Sequence, residues 1–91
     1  MTENEFSIKR KQLVQQLIAT NAIQSSSIEK AFLAVKREIF FPENLKEFAY
    51  VDEAFPIGLN QTISQPSTIA PMLELLSVKE NQTILEIGSG C

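Results

Sequence analysis

ILEIGSGC, residues 84–91, is a short apolar run with one acid that leads directly into Gly-Ser-Gly. The nearly continuous apolar run from Thr83 to Ile87 is typical of a parallel strand that is buried on both faces. In a doubly wound sheet, the turn after such a strand lies at the carboxyl ends of the strands, where ligands bind. The stretch therefore predicts an α/β fold with a ligand-binding loop that begins at Gly88.

The glycines and the acid of this stretch indicate what kind of ligand the loop could bind. Gly88 permits a tight turn, and Gly90 lets the backbone approach a ligand without a Cβ between them. Glu86 would repel a pyrophosphate but would attract a cationic amino group. This favours S-adenosylmethionine, which carries an ammonium group, over a dinucleotide. Taken alone, however, IGSG is equally typical of a structural turn.

Residues 1–51 are predicted to form an N-terminal helical segment. Apolar residues at helical spacing predict a first helix from about Glu5 to Thr20. Ser26, followed three residues later by Glu29, has the spacing of a capping box that opens a second helix. The aromatic residues between positions 40 and 50 are interpreted as core.

Residues 52–67 are predicted to be an ordered functional loop. The stretch DEAFPIGLNQTISQP, residues 52–66, contains two prolines, a glycine and a row of short polar side chains. Its only strand-like piece is around Phe55 to Ile57. Structureless loops of this length are uncommon in compact domains and are usually functional or disordered, and a flexible linker would contain more Gly and Ser.

Residues 68–91 are predicted to begin an α/β domain with a helix, its first strand and the glycine-rich loop. Thr68 is the predicted N-cap of the helix, with Pro71 in the first turn, where its missing N–H costs little. Apolar residues then follow the i, i+3, i+4, i+7 pattern: Ile69, Met72, Leu73 and Leu76.

The composition excludes several classes of function. The 91 residues are 44% hydrophobic and carry a formal net charge of −3, which argues against a nucleic-acid groove. Histidine is absent, and no cluster of Cys or carboxylates has metal-ligand spacing, so neither a metal site nor Ser-His or Cys-His catalysis is predicted. The single cysteine and the polar start MTENEFSIKRK predict a cytoplasmic protein without signal peptide or membrane span.

Two stretches together carry a family resemblance: PIGLNQTISQP, residues 56–66, and LEIGSGC, residues 85–91. With the helix between them, they closely resemble the protein-L-isoaspartate O-methyltransferases. SIEKAFLAVKREIFFPENLKEFAYVDEAFPIG, residues 27–58, resembles that family's Ala-x-x-x-Val-Pro-Arg-x-x-Phe-x-Pro segment followed by Ala-Tyr-x-Asp. The departures are Lys36 in place of a usual proline, Asn60 in place of a frequent glycine, and Cys91 in place of a small residue. The family's chain continues well beyond this point, so the sequence is expected to be its N-terminal part.

The resemblance implies an activity and a set of site residues. The family transfers the methyl group of S-adenosylmethionine to the free α-carboxylate of L-isoaspartyl residues in damaged proteins, which initiates their repair. Ser64 matches the family's active-site serine and is expected to orient the substrate carboxylate by a hydrogen bond. The other expected site residues are Gln61, Thr62 and Ile63 in the loop over cofactor and substrate, and Glu86, Gly88, Ser89 and Gly90 in the cofactor loop.

Two other interpretations stay open at the level of the sequence. One is a different S-adenosylmethionine-dependent methyltransferase that acts on a small molecule or RNA, although the QTISQP stretch argues against it. The other is a non-catalytic helical segment that binds a partner through its amphipathic helices. The expected partners under the favoured interpretation are isoaspartyl-containing proteins and peptides, without nucleic acid or membrane. The sequence makes no prediction of the oligomeric state.

Overall fold

The computed structural model describes residues 1–77, 79–87 and 90. Helices dominate it, and its sheet has two antiparallel strands. In chain order the elements are helix α1 (Glu3–Ala19), helix α2 (Ser26–Ala34), a first 3₁₀ helix (Arg37–Phe40), a second 3₁₀ helix (Glu43–Phe48), strand β1 (Phe55–Gly58), strand β2 (Gln61–Ile63) and helix α3 (Pro66–Leu76).

Helix α1 confirms the first predicted helix. Its N-terminus is capped by Thr2, whose hydroxyl accepts a hydrogen bond from the Glu5 backbone N–H at 3.2 Å. Its end is fixed by Asn21, which has a positive φ of 63° that stops further helical bonding. The apolar stripe of α1 packs inward, with these residues buried: Phe6, Leu13, Val14 and Leu17.

Helix α2 begins one residue earlier than the predicted capping box requires. The N-cap is Ser25, not Ser26, and its hydroxyl accepts from the Ile28 backbone N–H at 3.3 Å. The reciprocal acid comes from far along the chain: Oε2 of Glu74 in α3 accepts from the backbone N–H groups of Gln24, at 2.7 Å, and of Ser25, at 2.9 Å. The capping-box prediction is therefore wrong: with Ser25 as the N-cap, the third helical position is Ile28, whose side chain has no acceptor, and Glu74 binds the N-cap N–H instead.

The core consists of two clusters. The larger joins α1, the turn after it and α3, with Leu17 fully buried and Ala70 of α3 packed against it. The smaller joins the 3₁₀ region to the hairpin and contains Phe41, Ala49 and Ile63. Phe41 is buried and Tyr50 packs against both clusters, so the interpretation of the aromatic region as core is confirmed for these two residues. It is wrong for Phe40 and Phe48, which are 41% and 38% exposed.

The predicted loop of residues 52–67 contains a β-hairpin. Strand β1 pairs antiparallel with β2, with Phe55 opposite Ile63. The two residues between the strands, Leu59 and Asn60, have positive φ values of 53° and 59°, as tight hairpin turns of the I′ type require. Asn tolerates this region well, which explains how position 60 can dispense with glycine. The sequence patterning missed the hairpin because its strands are only four and three residues long.

Helix α3 begins at Pro66, two residues before the predicted N-cap Thr68. Pro66 occupies the first helical position, where its missing N–H leaves no bond unmade. Pro71 consequently lies inside the helix and not in its first turn. The predicted helix is confirmed, but its start is corrected: the cap is supplied by a distant residue, Asp52, described below.

The strand predicted over residues 83–87 is not formed in this structure. Those residues have no regular secondary structure, and Ile84, Leu85 and Ile87 are 52%, 86% and 88% exposed. A parallel strand needs neighbours that satisfy its backbone N–H and C=O groups, and the described residues provide none at this position. The doubly wound sheet itself stays a prediction. Among the described residues, no helix combines the length and the apolarity needed to cross a membrane.

We expect the 91-residue chain to self-associate, because apolar side chains of α3 and of residues 84–87 face solvent. Sedimentation velocity should show a mass that rises with concentration. Leu85→Lys should weaken association by about tenfold or more, since burying a leucine contributes roughly 1.5–3 kcal/mol. Ile8→Lys, a matched change at a half-exposed position of α1, should have little effect. A stable monomer with sharp, dispersed amide resonances would contradict this expectation.

Candidate active site

The residues Gln61 to Ser64 project a row of polar side chains from the second strand of the hairpin. Ile63 is only 7% exposed and packs into the smaller core cluster. Its neighbours Thr62 and Ser64 are exposed, as the alternation of side chains along an extended chain dictates. One buried residue thus anchors a segment whose hydroxyl and amide groups are open to a ligand.

Ser64 is held through its main chain and not through its hydroxyl. Its carbonyl oxygen accepts a hydrogen bond from the guanidinium of Arg37 at 2.9 Å. On the other side, Nε2 of Gln65 donates to the carbonyl oxygen of Asp52 at 2.9 Å, and Pro66 is fully buried. The hydroxyl itself has no hydrogen-bond partner among the described residues. The backbone at Ser64 is therefore fixed while its side chain stays available.

Asp52 connects the start of the hairpin segment to the start of α3. Its carboxylate oxygen Oδ1 accepts from the backbone N–H of Ser67 at 2.8 Å. This bond satisfies one of the free N–H groups in the first turn of α3, and a carboxylate at a helix N-terminus is also favoured by the helix dipole. Asp52 therefore ties together the two ends of the segment that carries Ser64.

Arg37 lies at the centre of the contacts beneath this segment. Its Nε donates to the Ala49 carbonyl oxygen at 2.7 Å, in addition to the bond to Ser64. The guanidinium carbon lies 5.5 Å from the ring centroid of Phe41, within the range of a cation–π contact. Arg37 thus links the first 3₁₀ helix, the end of the second and the hairpin.

A buried polar cluster of Arg10, Glu38 and Tyr50 supports Arg37. Arg10 donates through Nε to the Tyr50 oxygen at 2.7 Å, and it pairs with the Glu38 carboxylate at 3.2 Å. Tyr50 donates its hydroxyl proton to Glu38 and accepts the Arg37 backbone N–H at 3.1 Å. Because each buried charge has a partner, the cluster joins α1 to the 3₁₀ region without an uncompensated charge.

The pKa values of the cluster follow from these bonds. For Glu38, burial opposes ionisation, but the hydrogen bonds from Tyr50, the backbone and Arg10 outweigh it and lower the pKa below its usual value of 4.5. For Tyr50, burial and the bond to Glu38 raise the pKa above 10.0. Glu38 is therefore ionised and Tyr50 neutral at pH 7, so the carboxylate accepts hydrogen bonds from both Tyr50 and Arg10.

Gly90 brings the predicted cofactor loop to the predicted substrate loop. It has a positive φ of 78°, and a Cβ placed on it would lie 3.4 Å from Oε1 of Gln61. A side chain at position 90 would therefore have a strained backbone and would be in van der Waals contact with Gln61. Glu86 is exposed on the approach to the loop. Gly88 and Ser89 lie outside the described residues.

An apolar cavity of about 290 Å³ lies among the helices and is separate in character from this site. Its lining is almost entirely hydrocarbon, so it would desolvate a charged ligand at considerable cost. Three polar residues of the network, Arg10, Arg37 and Tyr50, border it. The exposed polar hairpin is thus the better candidate for binding a carboxylate. No group of residues suited to hold a metal ion occurs in the described part of the chain.

Sequence reasoning assigned no role to the residues beneath the site. These are Arg10, Arg37, Glu38, Tyr50 and Asp52, which together hold Ser64 and the start of α3. The family resemblance could have identified three of them. Arg37 matches the arginine of the family's Val-Pro-Arg segment, and Tyr50 and Asp52 match its Ala-Tyr-x-Asp.

The lowered pKa of Glu38 predicts how stability depends on pH. Its contribution should be fully present above pH 4.5 and lost as pH falls through its lower folded-state pKa. At pH 7 Glu38→Gln should reduce the free energy of unfolding by about 2 kcal/mol, because Arg10 loses its charged partner. The free energy of unfolding, measured by urea denaturation, should differ less between Glu38→Gln and the parent chain as the pH falls below 4.5.

The matched control for this measurement is Glu43→Gln, which changes an exposed acid of the second 3₁₀ helix. It should alter stability by less than about 1 kcal/mol at either pH. A Glu38→Gln effect that stays constant down to pH 3, or that equals the Glu43→Gln effect, would contradict the assigned role of the carboxylate.

Comparison with known proteins gives one consistent result. The family model described as "Protein-L-isoaspartate(D-aspartate) O-methyltransferase (PCMT)" matches residues 8–91. A protein-L-isoaspartate O-methyltransferase of Petrotoga mobilis is 42% identical over 86 residues, which cover 94% of this chain and 40% of the relative. That of Pyrococcus horikoshii is 41% identical over 90 residues, covering 99% and 41%. That of Dictyoglomus turgidum is 43% identical over 86 residues, covering 94% and 39%. The chain thus spans about 40% of the length of these relatives.

Proposed function

The chain belongs to the protein-L-isoaspartate(D-aspartate) O-methyltransferase family, and on that premise we propose that it is the N-terminal part of a protein-repair methyltransferase. The whole enzyme would methylate the free α-carboxylate of L-isoaspartyl residues, with S-adenosylmethionine as the donor. In that enzyme residues 83–87 would join the doubly wound sheet. The observation that carries the proposal is the position of Gly90 against Gln61, which supports a shared site for cofactor and substrate loops.

The chemistry asks mainly for positioning. S-adenosylmethionine supplies an electrophilic methyl group on its sulfonium. The substrate carboxylate is the nucleophile and is already ionised at pH 7, so no general base is needed. The protein has to hold the carboxylate oxygen in line with the methyl group and to limit water. A hairpin of fixed backbone with exposed polar side chains is suited to that task.

Ser64 is the residue proposed to orient the substrate. Its hydroxyl is exposed, and its carbonyl is fixed by Arg37 at 2.9 Å. A hydroxyl on a fixed backbone can donate one directed hydrogen bond to a carboxylate oxygen. Thr62 is also exposed and would line the same face of the strand as Ser64. Gln61 is exposed beside Gly90, while Ile63 anchors the strand in the core.

The cofactor loop is proposed to consist of Glu86, Gly88, Ser89 and Gly90. The structural support comes from Gly90, whose positive φ and missing side chain leave room beside Gln61. Glu86 is exposed, as a carboxylate that receives a ligand ammonium group must be. The proposed partners are isoaspartyl-containing proteins and peptides. The proposed compartment is the cytoplasm, since one cysteine in 91 residues suits a reducing environment.

The first test uses a joined enzyme, in which residues 1–91 are followed by the unmatched remainder of the Petrotoga mobilis relative. The joined enzyme should methylate an isoaspartyl peptide, and the 91-residue chain alone should not. Ser64→Ala should lower kcat/KM by roughly ten- to 150-fold, because a hydrogen bond to a charged group contributes roughly 1.5–3 kcal/mol. The affinity for S-adenosylmethionine, measured by calorimetry, should stay nearly unchanged.

The control for that variant is Ser67→Ala, which removes a hydroxyl three residues away while leaving the backbone bond to Asp52 in place. It should keep its activity within about twofold of the parent. If Ser64→Ala were as active as the parent, Ser64 would be only a turn residue and the site assignment would fail. An inactive joined enzyme that still folds and binds S-adenosylmethionine would argue for a different substrate.

A second test separates cofactor binding from methyl transfer. Gly90→Val should weaken S-adenosylmethionine binding by about tenfold or more, because a branched residue is strained at positive φ and adds bulk to the proposed cofactor loop beside Gln61. The effect should appear in the dissociation constant and in the KM for the cofactor. Gly58→Val is the control, since Gly58 also has positive φ but lies outside the proposed cofactor loop and meets nothing within 4 Å. Equal losses of affinity in both variants would attribute the effect to backbone strain alone.

A further inference from the structure

We propose that Arg37 is a positioning residue for the reaction: its guanidinium clamps the backbone of Ser64 and thereby sets the direction of the serine hydroxyl. The proposal rests on the proposed function, because it concerns the same site. It assigns a role to a residue that would not touch the substrate or the cofactor. It also explains why a buried polar network lies directly beneath an exposed hairpin.

The first argument is the geometry of the clamp. Nε of Arg37 donates to the Ala49 carbonyl at 2.7 Å, and a terminal nitrogen donates to the Ser64 carbonyl at 2.9 Å. Both distances are those of good hydrogen bonds. A guanidinium holds its donors in one rigid plane, so the two carbonyls are fixed relative to each other. A lysine ammonium, a single point on a flexible stem, could not reproduce that plane.

The second argument is that the base of the clamp is itself fixed. The backbone N–H of Arg37 donates to the Tyr50 oxygen at 3.1 Å, and Tyr50 is bonded to both Arg10 and Glu38. The ring of Phe41 lies under the guanidinium at 5.5 Å. Contacts outside the hairpin therefore fix the position of Arg37, and Arg37 in turn fixes the backbone of Ser64.

The third argument is that the hairpin cannot hold itself. Strand β2 has three residues, and an isolated two-stranded hairpin is marginal in water. Its turn contains Leu59, a branched residue with a positive φ of 53° and a side chain that is 95% exposed. The burial of Ile63 and the hydrogen bond from Arg37 thus hold the hairpin in place, which its short strands could not do alone.

The consequence for catalysis follows from the proposed role of the serine. A shift of about 1 Å in a positioned group can reduce a reaction rate by up to a hundredfold without changing the chemistry. Loss of the clamp should therefore lower kcat more than it raises the KM for S-adenosylmethionine. A residue that only stabilised the fold would also lower the apparent kcat, through a smaller amount of active enzyme, so kcat is expressed per enzyme molecule that binds S-adenosylmethionine.

The experiment uses the joined enzyme with three variants: Arg37→Lys, Arg37→Gln and Lys46→Gln. Lys46 is the matched control, because its ammonium also donates to a backbone carbonyl, that of Glu38 at 2.9 Å, and its ion pair is with Glu43, outside the hairpin. For each variant we would measure kcat, the KM for both substrates, and the hydrogen exchange of the peptide that spans residues 59–65. Hydrogen exchange reports the clamp whether or not the enzyme is active.

The expected result is a fall in kcat of about ten- to thirtyfold for Arg37→Gln, with the KM for S-adenosylmethionine within twofold of the parent. Exchange in residues 59–65 should accelerate by at least about tenfold, while exchange in α1 should stay unchanged. Arg37→Lys should behave like Arg37→Gln, because charge alone does not restore the planar fork. Lys46→Gln should match the parent in both measurements.

Several outcomes would overturn the proposal. One is unchanged exchange in residues 59–65 of Arg37→Gln; another is faster exchange with a kcat within twofold of the parent. Equal effects in Arg37→Gln and Lys46→Gln, or full rescue by Arg37→Lys, would also reject the planar clamp. If the parent joined enzyme is inactive, the proposed function fails, and the clamp is then accepted or rejected on hydrogen exchange alone.

Discussion

The carboxylate of Glu38 is the interaction on which the arrangement depends, because it brings three separate parts of the chain to one buried point. Arg10 reaches it from α1, Tyr50 from the end of the second 3₁₀ helix, and Arg37 is attached through the Tyr50 oxygen. A carboxylate that is 5% exposed would be very costly without these partners. With these partners in place, the carboxylate favours this packing of α1 against the 3₁₀ region, because a packing that separated Arg10 from Glu38 would leave a buried charge unpaired.

Much of the helical structure could be predicted from the sequence, because a stripe of apolar residues needs only local periodicity to be recognised. The spacing of Phe6, Leu13 and Leu17 is sufficient for α1. Helix starts were less predictable: α2 and α3 receive capping bonds from Glu74 and Asp52, which are distant in sequence. Local capping rules count only the nearby candidates. The 83–87 run has the composition of a buried strand, yet strand formation requires neighbours that local composition does not supply.

The candidate site was predictable in its exposed part and not in its support. QTIS stands out because it belongs to a row of short polar side chains in a stretch with two prolines and a glycine, and the structure places Gln61, Thr62 and Ser64 on the surface. The residues beneath it come from positions 10 to 52, and nothing local relates Arg10 to Glu38 before the helices pack. The backbone of Asn60, by contrast, depends on local sequence. Asparagine tolerates the left-handed conformation that the structure shows at this position.

The bonds from Glu74 to the start of α2 also have a consequence for the order in which the helices form during synthesis. The helix has nine residues, too short to persist alone in water. Two of the N–H groups at its start are satisfied by Glu74, which follows them by 50 and 49 positions. On a ribosome, where a chain grows from its N-terminus, α2 therefore emerges well before the acid that completes it. The start of α2 therefore lacks these two bonds until α3 has been synthesised, although Ser25 can already cap its first turn.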